Sequence, residues 1–73
     1  MNAQTLQRMI EQIASSVGGA TEEDSINRIA THIRGFWAPV MITELETAAA
    51  DGSVVLSDRA AAGLALAAAA LAK

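Results

Sequence analysis

Apolar side chains recur at helical spacing through the first half of the chain. Leu6, Met9, Ile10, Ile13 and Val17 follow the i, i+3, i+4, i+7, i+11 series that lines one stripe of an α-helix. A first helix is therefore predicted from Ala3 to Val17. Gly18-Gly19 should close it, since glycine takes the left-handed geometry of a C-cap without a Cβ penalty. Thr21, followed by Glu22, Glu23 and Asp24, is a start signal: a hydroxyl to cap a free N–H and three carboxylates at the positive end of a helix dipole. The second stripe, Ile26, Ile29, Ala30, Ile33 and Trp37, repeats the first. Two similar faces joined by a short loop predict an antiparallel helical hairpin.

Pro39 lacks a donor N–H and disfavours helical geometry at Ala38. The second helix should therefore end near Phe36 or Trp37, and a third should begin at Pro39. Met41, Ile42, Leu45, Ala48 and Ala49 give that helix a shorter stripe, closed by Asp51-Gly52. Ser53-Val54-Val55-Leu56 has no second strand to pair with and reads as a loop whose aliphatic side chains pack on the helices. Ser57 and Asp58 can start a last helix. From Ala60 to Lys73, 9 of 14 residues are Ala, but Leu64 and Leu71 fall on one side and Leu66 nearly opposite. That pattern shows no single face and is compatible with a tail that orders only against a partner. The expected fold class is all-α: a small helical hairpin, a third helix after Pro39 and an alanine-rich C-terminal helix. The expected organisation is one helical domain over residues 1–57, with 58–73 as an alanine-rich helix or tail.

Composition sharpens this picture. Of 73 residues, 52% are apolar, but 17 of those are Ala, leaving 21 larger apolar side chains for a core. A domain of this size usually gains only about 3–5 kcal/mol from its core without a disulfide, metal or partner. There is no Cys to supply a disulfide or a thiolate site, which leans the compartment toward the cytoplasm. The N-terminal residues do not resemble a secretory signal, and the longest nearly apolar run, Ala60 to Ala72, is too short to cross a bilayer. Five basic residues against eight acidic ones, with no Lys/Arg cluster, argue against nucleic acid and membrane surfaces as partners.

Candidate chemistry is sparse. His32 is the only residue titrating near neutral pH, and on the helical wheel it sits beside Arg28 and Gly35, away from the apolar stripe. No Cys, Tyr or second His joins it, no nucleophile elbow or glycine-rich phosphate loop is present, and the carboxylates have no metal-ligand spacing. The chain is not expected to be an enzyme by itself, nor to hold a metal or cofactor. The informative stretch is instead His32-Ile33-Arg34-Gly35-Phe36-Trp37-Ala38-Pro39-Val40-Met41, which carries the only Phe, Trp, Pro and His of the chain. So many large rings at one corner of a small protein point to an anchoring surface. Trp37, centred on the second stripe, reads equally as core filler or anchor, whereas Phe36 at the margin is the better candidate for an interface.

This decapeptide resembles an HIRxFWxPxM-like run of the delta subunits of soluble NAD-dependent formate dehydrogenases. Upstream, Leu6, Arg8, Met9, Gln12 and Ile13 are similar to that family's LxRMxxQI-like helix, and Gly52 to Leu56 to a Gly-rich turn leading into Leu-Ser. The likeness covers about Leu6 to Ser57, with departures at Glu11, Val40 and Asp58. It implies a non-catalytic accessory subunit of a cytoplasmic complex that oxidises formate and reduces NAD. In that family the molybdenum or tungsten pterin, the iron-sulfur clusters, FMN and NAD belong to other subunits. The implied partner is the alpha subunit, whose assembly, cofactor-loaded state or stability the delta subunit would support. The expected contact residues are Arg8, Gln12, His32, Arg34, Phe36, Trp37, Pro39 and Met41. A free-standing helical homo-oligomer or adaptor burying the same patch against itself is the alternative.

Overall fold

The computed structural model describes residues 2–19 and 21–71, and these form four helices: α1 (Ala3–Ser16), α2 (Glu22–Phe36), α3 (Pro39–Asp51) and α4 (Asp58–Leu71). No strand occurs among the described residues. Local chemistry sets each boundary. Asn2 caps α1, its side-chain oxygen accepting from the Thr5 N–H at 2.8 Å, and Thr21 caps α2, accepting from the Asp24 N–H at 3.0 Å. Pro39 starts α3 at its first turn, where a missing N–H costs nothing. Gly52 ends it in the left-handed region, φ 84°. The expected helix after Ser57 is present as far as Leu71; residues 72 and 73 of that expectation lie outside the described residues.

The close of α1 differs from the expectation. Its C-cap is Val17 in an extended conformation, and neither Gly18 nor Gly19 has a positive φ. Gly19 answers a steric demand instead. A Cβ there would stand 2.8 Å from both the backbone nitrogen and the Oγ of Ser25, so the loop runs too close to the first turns of α2 for a side chain.

The pairing of helices differs as well. The stripes predict α1 against α2, but the most extensive helix contact is between α2 and α4. Ala60, Gly63, Leu64 and Ala67 recur at i, i+3, i+4 and i+7 and are all buried, so the alanine-rich helix does have one face, built mostly of small residues. Gly63 is the point of closest approach: a Cβ there would lie 2.5 Å from Cγ2 of Ile29 and 2.8 Å from its Cβ. The two helix backbones can meet because neither Ala nor Gly holds them apart.

Around this seam Leu6, Ile10, Ile29, Ile33, Ile42 and Leu45 form a fully enclosed centre. Val54 joins it and Leu56 is half-buried, but Val55, expected to pack with them, is 80% exposed. The loop is held by its polar groups. The Val55 carbonyl accepts from Gln7 Nε2 at 2.6 Å, while Glu11 accepts from the Ser57 N–H at 2.7 Å and from Ser57 Oγ at 2.8 Å. Ser57 Oγ in turn accepts from the Ala60 N–H at 3.3 Å, capping α4. Arg59 completes the junction, forked onto Glu22 at 2.9 and 2.6 Å and donating to the Ala14 carbonyl at 3.3 Å. The first turn of α4 is thereby tied to α1 and α2 together.

Candidate docking site

On another face of α1 the helices do not close on one another. A groove of about 530 Å³ opens between α1, the C-terminal end of α2 and the start of α3. Met9, Ile13 and Val17 form one wall, with Gln12 and Ser16 along its edge; Phe36, Trp37 and Met41 form the other, with His32 at its lip. The apolar stripe of α1 is therefore divided. Leu6, Ile10 and Ala14 turn fully into the core, whereas Met9, Ile13 and Val17, a small rotation further round, remain half-buried.

Of the expected contact residues, Gln12, His32, Phe36, Trp37 and Met41 come together on this groove. Trp37 is 7% exposed and part of the chain's own core, as core filler would be, and its remaining surface lines the groove. Phe36 is 77% exposed. Its ring lies one turn after His32, centroids 4.7 Å apart and planes tilted by 31°. Val40 is 72% exposed, and Ala38 and Pro39 are exposed too, so an uncharged ridge borders the groove. Three expected residues do not line it. Pro39 lies on that ridge, Arg8 is exposed one turn before Gln12 on the flank of α1, and Arg34, two residues from His32, projects from the other side of α2.

The groove is also lined by Met9, Ile13, Ser16 and Val17, which the sequence did not single out for it. The apolar three belong to the same stripe as the core residues Leu6 and Ile10, so helical spacing alone does not separate groove from core.

No carboxylate lines the groove. Asp24 pairs with Arg28 across 3.5 Å on the exposed face of α2, a weak surface contact. The perturbed acids lie elsewhere. The hydrogen bonds from Arg59, with its charge, hold the Glu22 carboxyl below its ordinary value, and the Ser53 hydroxyl and N–H do the same for Asp51. Among the described residues no group of three or more His, Asp or Glu is placed to hold a metal ion. The surface therefore offers apolar area edged with hydrogen-bonding groups, the arrangement of a protein-binding site.

A protein-family model described as "NADH-dependant formate dehydrogenase delta subunit FdsD" matches residues 5–68. The chain belongs to this delta-subunit family. The match runs past Ser57 into α4, so the likeness extends beyond the Leu6 to Ser57 stretch expected from motifs alone and takes in Gly63 and the buried face of the alanine-rich helix. No curated protein and no solved structure matches the chain. No helix among the described residues is long and apolar enough to cross a membrane. Within the delta-subunit family, then, the described residues of this chain form four helices with an open apolar groove at the aromatic corner.

Proposed function

We propose that this delta-subunit chain is a non-catalytic accessory subunit of a cytoplasmic NAD-dependent formate dehydrogenase that docks through the groove on the alpha subunit. On this reading the molybdenum or tungsten pterin, iron-sulfur clusters, FMN and NAD all belong to other subunits, and docking supports assembly, the cofactor-loaded state or stability of the catalytic one. The observation that carries it is Phe36, a large ring left 77% exposed beside an apolar groove in a family named for a subunit of a larger enzyme. Leaving such a ring in water is unfavourable by a few kcal/mol relative to burying it, and a partner's surface would recover that energy.

The test is co-expression of the tagged chain with the alpha subunit, followed by stoichiometry of the eluate and formate-dependent NAD reduction. Phe36→Asp should leave the chain folded and reduce its share in the eluate well below that of the unaltered chain. Full stoichiometry with Phe36→Asp would remove the assignment. A discrete homodimer or tetramer of the isolated chain that loses its order with the same substitution would support the self-associating alternative instead.

A further inference from the structure

Three of the five glycines have internal reasons, and one of the other two stands beside the groove. Gly19 and Gly63 sit where a Cβ would strike a neighbour, and Gly52 takes a positive φ. Gly35 does neither. It lies in the last turn of α2, exposed, with no positive φ, and a Cβ there would meet nothing within 4 Å. An alanine would favour the helix more, so α2 gives up helix propensity at a place where its own packing asks for nothing. That place is one residue before Phe36 and one turn after His32, both of which line the groove. The bare backbone there lets another chain approach more closely than any side chain would permit.

Charge gives a second indication. The protein carries a net −3, yet no carboxylate lines the groove, and His32 and the exposed Arg8 flank it on opposite sides. Arg8 makes no ion pair with any described residue. An acidic protein with an acid-free docking face and an unengaged guanidinium at its edge is complementary to carboxylates. The walls are helices, and a trough between two helices accepts a third by ridge-into-groove packing.

We propose that the groove takes an amphipathic helix of the partner subunit. Its apolar face is seated between Met9, Ile13 and Val17 on one side and Phe36 and Met41 on the other. Its flanking Asp or Glu side chains face Arg8, and its backbone passes close over Gly35. This rests on the reading of the groove as a subunit interface, and the experiment separates the two.

Association of the full-length chain with the immobilised alpha subunit is measured at low and high salt for the unaltered protein, Arg8→Glu, Gly35→Gln and Phe36→Asp. Arg8→Glu should associate about tenfold more slowly at low salt, with the difference shrinking as salt is raised. Gly35→Gln should melt no lower than the unaltered chain while binding about tenfold more weakly, mainly through faster dissociation. A photo-crosslinking residue at position 35 should mark partner residues spaced three or four apart on an acid-flanked helix. If Arg8→Glu and Gly35→Gln bind like the unaltered chain while Phe36→Asp does not, the groove is the interface but the occupant is not this helix. Crosslinks on a strand or loop overturn the proposal in the same way. Unaltered binding by Phe36→Asp instead overturns the interface itself.

Discussion

The α2–α4 seam and the groove beside it are built from opposite materials. The seam joins Ala60, Gly63, Leu64 and Ala67 to Ile29 and its neighbours so closely that a single methyl group would not fit at Gly63. The groove is lined by Met9, Ile13, Phe36, Trp37 and Met41 and stays open. Small residues close the α2–α4 seam, while Phe36 stays exposed and Met9, Ile13 and Met41 only half-buried. Size of side chain therefore does not tell which contacts are internal. Small residues let helix backbones meet and enclose area through proximity, whereas large ones keep helices apart and leave space that an external group can fill.

Gly63→Ala is the sharpest way to break that contrast. The added methyl would have to displace Ile29, costing about 1–3 kcal/mol, only part of which better helix propensity returns. The melting temperature of the isolated chain, followed by circular dichroism, should fall by several degrees. An unchanged or higher value would mean that the seam is looser than its geometry.

A smaller loss is expected from Ser57→Ala, which removes both the cap on α4 and a partner of Glu11, at about 1 kcal/mol. Chemical denaturation should show a lower midpoint with an unchanged slope. Glu11→Ala should act at the same place, and the double substitution should cost less than the sum of the two.

Acidification reaches the same junction through charge. Because Arg59 holds the folded-state pKa of Glu22 below the ordinary 4.5, that carboxylate's stabilising contribution is present above 4.5 and lost as pH falls through the folded value. Asp51, held below 3.8 by Ser53, adds a loss of the same sign at lower pH. Melting temperatures should decline as the pH is taken below about 5, and Glu22→Gln should flatten the upper part of that decline. A steeper fall in Glu22→Gln would contradict the assignment.

The smallest effect belongs to the groove. Phe36→Ala in the isolated chain should change stability by no more than about 0.5 kcal/mol, since the ring is mostly in water already. A large destabilisation would show that Phe36 serves the fold, and the contrast between seam and groove would dissolve.

Much of the fold can be read from the chain because its boundaries are written in local chemistry. Thr21, Pro39, Gly52 and Ser57 each act on their own few neighbours, and a linear reading captures such effects. Helix pairing was not legible for a physical reason. The face of α4 is mostly Ala and Gly, which stand out little on a wheel weighted by hydrophobicity, and its fit to Ile29 depends on where two distant backbones meet. The aromatic corner was legible because rare residues cluster in ten positions, and Phe36 and Trp37 divide between surface and interior as their places on the α2 stripe suggest. The α1 wall was hidden, since nothing along a single helix says where its neighbours diverge. Ser57 illustrates the same limit: its capping role is local, but its anchor is Glu11, 46 positions away.

Only Trp37 and Ala38 separate α2 from α3, and both are extended, with the Trp37 N–H bonded to the Ile33 carbonyl at 2.8 Å and Pro39 restricting the next torsion. The ridge of Phe36, Pro39 and Val40 is thus held in shape before anything arrives. A partner docked there as proposed would meet a pre-organised knuckle and lose little entropy in ordering it, so that even a modest contact area would suffice for a long-lived complex.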